Sequence, residues 1–322
     1  MHAANSVFFD GLKQNSSIRE LTFESGDYDY NDAETFDDVH YEILKVYQTN
    51  NNLTEFSIRN GYFHGGEHIM ASVFRNSTNM TRIVLNNCDI NDEQLLPMVE
   101  AIQGGPLKGL CLPRNRIGNT RCEAIVTLLG DQNCNIEILD LQENRITEEG
   151  AITLANGLPS NASLSTCFLW KQQVSIDTSR VVDAFARAFC DTTSINSIYA
   201  SNHSVGNLLF GEERPDMINA LTDMHCTNDK VFVATRKILQ YVDHLDMEPL
   251  FELDAEEGEQ NLNALPYVMA WFERAEEYDE FGKEEYCLAE KKLETIYQFA
   301  QAMPLLFVSV NPSIKRTKRK RA

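Results

Sequence analysis

The feature that most constrains the fold of this chain is a short pattern that recurs along it. Leu107, Leu110, Leu112, Asn115 and Ile117 spell L-x-x-L-x-L-x-x-N-x-I, and Ile136, Leu139, Leu141, Asn144 and Ile146 repeat it. A third copy, Met80, Ile83, Leu85, Cys88 and Ile90, carries cysteine in the asparagine slot. Weaker copies extend the series. Ile18, Leu21 and Phe23 begin it, and Leu53, Phe56, Ile58 and Phe63 follow with Gly61 in the slot. Leu164, Cys167, Leu169 and Val174 continue it with Gln172, and Ile195, Ile198, Ala200 and Val205 close it with His203. Starts at 18, 53, 80, 107, 136, 164 and 195 give four central periods of 27 to 29 residues. A period of this length marks stacked units, none able to bury its apolar face alone.

Each slot has a physical reason. The L-x-L core alternates like a strand, so Leu110 and Leu112 are expected inward and Cys111 outward. The asparagine turns the chain away from the strand, and its amide can bond the unpaired backbone of that bend. An amphipathic segment follows each bend: Leu95, Val99 and Ile102 share a helical face, as do Ala151, Leu154 and Leu158. Each unit therefore reads as strand plus helix, and the chain as an α/β solenoid.

Over roughly residues 18 to 206 this pattern resembles the ribonuclease-inhibitor-like group of leucine-rich-repeat proteins. The resemblance implies a horseshoe with parallel strands on the concave face and helices outside, and a binding platform rather than an enzyme. The chain then divides into a solenoid of about seven repeats at 1–206, a helical C-terminal cap at 207–310 and a basic disordered tail at 311–322. Helices are expected over 228–245, 265–278 and 284–302, because a repeat stack needs its last coil covered. The stretch from Leu265 to Trp271, with that from Ala302 to Phe307, is similar to the C-terminal ends of algal leucine-rich-repeat proteins. The acidic stretch from Asp27 to Asp38 lacks the central glycine and terminal glutamate of a calcium loop and reads as a surface loop.

Composition excludes several classes. No run of eighteen apolar residues is present, so no membrane span is expected. The first ten residues lack a basic region followed by an apolar stretch, so no secretory signal is expected either. The eight cysteines include no Cys-x-x-Cys pair, so neither a zinc site nor a redox motif is signalled, and their placement at repeat slots fits a reducing compartment, cytoplasmic or nuclear. Six Asn-x-Ser/Thr sequons, at Asn15, Asn52, Asn76, Asn79, Asn161 and Asn202, read as polar turn composition. The net charge is −20, although Lys315, Arg316, Lys318, Arg319, Lys320 and Arg321 crowd positive charge into the tail. An acidic body repels nucleic acid and anionic membranes and attracts basic protein surfaces; the tail alone does the opposite. The tail reads equally as a nuclear-import peptide or as a solubilising end.

No catalytic residue, metal or cofactor is assigned. His64-Gly65-Gly66-Glu67-His68 matches the H-x-x-E-H zinc-protease motif in letters only, because two glycines stand where a firm helix is needed. The repeat register aligns His68 with Leu95, Cys122 and Ala151 at a helix start. Neither a phosphate loop nor a serine elbow occurs, and Cys88, in the asparagine slot, is expected to be buried.

The remaining signal is the outward row of the strands. Phe168 and Trp170 lie two apart, and the register places Tyr199 on the neighbouring strand. Arg114 and Glu143 occupy one slot on adjacent units. These five residues are the candidate partner-binding set. The competing reading is that the C-terminal helices cover the aromatics. The expected function is a scaffold binding an unidentified protein on the concave strand face. The alternative is a GTPase-activating regulator, a role of some family members that carry long acidic tails; the basic tail here departs from them.

Overall fold

The structure, a computed structural model, describes residues 2–24, 38–50, 52–61, 66–211, 215–225 and 229–241. It divides into two compact units, Met1–Asp191 with Ala200–Lys230 and Thr192–Tyr199 with Val231–Ala322. Seven strands alternate with helices in the first. They are β1 (Glu20–Glu24), β2 (Glu55–Arg59), β3 (Arg82–Asn86), β4 (Gly109–Cys111), β5 (Ile138–Asp140), β6 (Thr166–Phe168) and β7 (Asn207–Leu209). The helices are α1 (His2–Gln14), α2 (Asp38–Thr49), α3 (Glu67–Asn76), α4 (Asp92–Ile102), α5 (Cys122–Leu129), α6 (Glu148–Gly157), α7 (Ser179–Phe189), α8 (Ile195–Ala200), α9 (Asp216–Asp223) and α10 (Lys230–Tyr241). Of these, α8 and α10 fall almost wholly in the second unit. Every strand pairs in parallel with the next in sequence, from β1 to β7. A parallel sheet built in chain order, with a helix behind each strand, is an α/β solenoid of the leucine-rich-repeat kind.

The pattern residues form its core. Ile83, Leu110, Leu139, Cys167 and Leu208 are register partners on successive strands, and all are buried. Leu95, Val99 and Ile102 on α4 are buried against them, as are Ala151 and Leu154 on α6 and Leu158 just beyond it.

The bends are held by a ladder of side-chain amides, buried at Asn115 and Asn144 and half-buried at Gln172. Asn115 shares its NH2 among the carbonyls of Leu85, Leu112 and Pro113, and its Oδ1 accepts from the backbone N–H of Cys88 and Ile90. Asn144 repeats this one coil on, donating to Leu112, Leu141 and Gln142 and accepting from Ile117. Gln172 does the same with Leu141, Leu169 and Ile146. Each amide therefore bonds its own bend and the coil before it. Cys88 takes the slot with its Sγ 3.4 Å from the carbonyls of Ile58 and Asn86.

A second pair of buried amides, Asn161 and Asn202, stands where a helix turns back into a strand. The Oδ1 of Asn161 accepts from the N–H of Ser163 and Leu164 while its Nδ2 donates to Leu129 O. Asn202 accepts from Ser204 and Val205 and donates to Leu158 O and Asn161 O. Both side chains are buried, so these two sequons are turn elements and their amide nitrogens are engaged within the fold.

The same motif corrects the expected seventh repeat. Asn202-x-x-Val205 corresponds to Asn161-x-x-Leu164, so Val205, Leu208 and Phe210 are the seventh L-x-x-L-x-L. Ile195, Ile198 and Ala200 lie on helix α8 instead, and His203 occupies a turn rather than an asparagine slot. The sixth repeat is longer than its neighbours because it holds an additional helix, and the sheet runs on to Leu209, past residue 206. The stretches 265–278, 284–302 and 315–321 and most of the acidic insertion lie outside the described residues.

Replacing Asn144 with alanine strands carbonyls on two coils and the Ile117 N–H, so it is expected to cost about 2–4 kcal/mol in chemical denaturation. A loss no larger than a surface substitution, about 0.5 kcal/mol, would refute the ladder as a stabilising device.

Candidate functional site: the open face of the sheet

Side chains alternate across a strand, so each strand turns every second residue away from the helices. The central outward row reads Thr22, Ser57, Val84, Cys111, Asp140, Phe168 and Leu209 across the sheet. The parallel row two residues earlier, Glu20, Glu55, Arg82, Gly109, Ile138, Thr166 and Asn207, belongs to the same face. The sequence reading did not assemble that row, although the period of two carries it. Charge concentrates on β1 to β3, and apolar side chains from β5 to β7.

Phe168 and Trp170 are both half-exposed. The Nζ of Lys171 lies 4.2 Å from the centroid of the Trp170 ring, a cation–π contact. Tyr199 does not join them on a strand, because it lies on α8. Its expected place beside Phe168 belongs to Leu209. The signal for this was the Asn202 turn, which sets the strand several residues later.

Arg114 and Glu143 do pair, with Nε to Oε2 at 3.1 Å. They are not strand residues: both sit at the bend with φ near +57° and +55°, as do Asn60, Asn87 and Lys171 in their coils. Backbone bonds hold the conformation, Arg114 N–H donating to Gln142 O and Glu143 N–H to Trp170 O. With Arg114 well exposed, the ion pair is worth about 0–1 kcal/mol and orients more than it stabilises.

Cys111, expected outward, is buried on this face. The cause is Arg82, whose chain crosses Gly109; a Cβ on Gly109 would stand 3.2 Å from Arg82 Cγ. The far end of Arg82 points toward Glu55, Nη1 to Oε2 at 3.9 Å. Burial pushes the Cys111 thiol up, with Arg82 acting in the opposite direction. Burial likewise pushes the thiols of Cys88, Cys122 and Cys167 up to about 12. Thiols this high are protonated at neutral pH and are poor nucleophiles.

Asp140 is the carboxylate of the central row. It lies between Cys111 and Phe168 in register, and its Oδ1 accepts from the Gln142 N–H at 3.1 Å. Burial raises its pKa above the usual aspartate value, the Gln142 N–H lowers it, and Glu143 raises it further. Among the described residues no basic group reaches this carboxylate.

At the H-x-x-E-H match, His64 and Gly65 lie outside the described residues, Glu67 opens α3 and His68 is exposed. The buried set Met70, Ala71, Val73 and Phe74 places Glu67, not His68, at the position of Leu95. The difference arises because the bend before α3 is one residue shorter. Among the described residues no cluster of three metal-ligating side chains occurs, and no helix is long and apolar enough to cross a membrane.

No protein-family model matches the chain, and no curated protein matches it. Among solved structures, the chain is similar to a tropomodulin C-terminal domain from Caenorhabditis elegans at 13% identity and a TM-score of 0.34. That match covers 57% of this chain and 92% of the other.

Asp140 yields a pH prediction. A carboxyl whose pKa is raised by folding favours the folded state when protonated, and its ionisation costs stability as pH rises through that value. Asp140→Asn removes the cost and keeps the oxygen that accepts from Gln142. Its stability relative to the unsubstituted protein should therefore increase from about pH 4 to pH 7 in urea titrations. A difference that shrinks over this range would contradict the burial of the group.

Proposed function

We propose that this chain is a protein-interaction scaffold of the ribonuclease-inhibitor-like type, holding a partner protein on the open face of its sheet. The observation that carries this reading is the half-exposed pair Phe168 and Trp170, two large aromatics on the sheet face that turns away from the helical layer. Beside them stand Leu209 on one side and the polar Arg114–Glu143 pair on the other. An apolar anchor next to a polar rim is the layout of an interface hot spot, and tryptophan is the residue most enriched there. Repeat lengths of 27 to 29 residues with a full α-helix in each unit support the ribonuclease-inhibitor-like type.

Affinity capture with the full chain, read by mass spectrometry and then by binding of the recovered partner, tests this. Trp170→Ala should weaken that binding by at least about 2 kcal/mol while leaving the melting temperature unchanged. A sharp drop in melting temperature would assign the tryptophan to internal packing and move the search toward Arg59, Arg82 and Arg114.

The basic run 315–321 supports a nuclear location for the scaffold. Residues 311–322 fused to a fluorescent reporter should concentrate it in the nucleus. An even distribution between nucleus and cytoplasm would leave the tail as a solubilising end.

A further inference from the structure

On the open face three of the cationic side chains are engaged within the fold. Arg82 lies across Gly109 toward Glu55, Arg114 bonds Glu143, and Lys171 covers one face of the Trp170 ring. Asp140 stands apart from all three. Its row neighbours are a buried thiol on β4 and the Phe168 ring on β6, and the residue two positions earlier on its own strand is Ile138. Among the described residues its carboxylate accepts only from Gln142, from the backbone N–H at 3.1 Å and from Nε2 at 3.4 Å. An ionised carboxylate in such a place has lost water without gaining a counter-charge, which makes it a site that gains from an incoming cation.

We propose that the partner segment seated on this face presents a lysine or arginine to Asp140, with a large apolar side chain from the same segment packed on Phe168, Trp170 and Leu209. This rests on the scaffold reading above and adds the chemistry of the partner. Three observations converge on it. The carboxylate is half-buried and uncompensated; Phe168, the nearest of the apolar anchors in register, lies on the adjoining strand, about 5 Å away; and the net charge of −20 favours the approach of basic segments over acidic ones. The raised pKa of Asp140 is the same desolvation seen from the proton's side. A basic side chain supplies the missing counter-charge to the carboxylate through a charge-assisted hydrogen bond. The spacing asks for a cation and an apolar group within about one helical turn of each other in the bound segment.

The test is a displayed library of short random peptides selected on the full chain, with dissociation constants of the enriched peptides measured against the unsubstituted protein and two variants. Enriched peptides should carry Lys or Arg close to a large apolar residue. Asp140→Asn, which preserves shape, should bind them about tenfold more weakly with an undiminished melting temperature. Trp170→Ala should also weaken them. Peptides that lose affinity on Trp170→Ala but not on Asp140→Asn overturn the cation assignment and leave the scaffold reading standing. A library that yields no peptide sensitive to Trp170→Ala overturns both. A full-length variant with the six basic residues of 315–321 changed to serine provides the last arm. If it binds the selected peptides about tenfold more tightly, the occupant is the chain's own tail, and the assignment to a partner falls.

Discussion

The fold depends on a problem that every parallel coil must solve, namely what bonds the backbone where a strand ends inside the stack. A buried carbonyl or N–H without a partner costs on the order of 1–3 kcal/mol, and each coil exposes several at its bend. In three successive coils one primary amide answers most of them. Asn115 satisfies its own bend with its NH2 and the preceding coil with both ends of the amide, and Asn144 repeats the pattern. Apolar packing of Leu110, Leu139 and their register partners supplies the greater part of the stabilisation. The amides decide that this packing occurs in one register.

Much of this was legible because it is periodic. Leucine, isoleucine and asparagine at fixed offsets announce their roles, and even Gln172 in the asparagine slot keeps the amide function. Cys88 shows how far the slot tolerates change, since a thiol is only a weak donor to the same carbonyls. The seventh strand was misplaced for a physical reason. Ile195, Ile198 and Ala200 satisfy the spacing of an L-x-x-L-x-L strand, yet apolar residues three apart also fit one face of a helix. The unused discriminator was the Asn202 turn, whose local bonds to Ser204 and Val205 fix where the strand must start. Tyr199 was misassigned with it.

The site was harder to read than the fold, because outward positions carry no periodic requirement. Phe168 and Trp170 were visible as aromatics with no core to enter. The burial of Cys111 and the isolation of Asp140 were not, since both follow from side chains on other strands. Gly109 and Arg82 belong to different repeats, and only their register, with Gly109 opposite Arg82, brings the arginine over the glycine. Sequence spacing specifies what faces outward; it does not specify what then lies across it.

The left-handed bends have a consequence of their own. In the N-terminal coils the residue at this position is Asn60 or Asn87, a type at ease with positive φ. In the three coils that follow it is Arg114, Glu143 and Lys171, where the same backbone is strained by about 1 kcal/mol each relative to glycine. Asparagine would relax those bends, so stability alone does not account for the residues found there. What the strained residues provide is alternating charge along one rim of the sheet, positive, negative, positive, beside the aromatic pair. The solenoid is thus conformationally relaxed at one end and strained at the other, and its strained bends are those nearest the face on which a partner would be held.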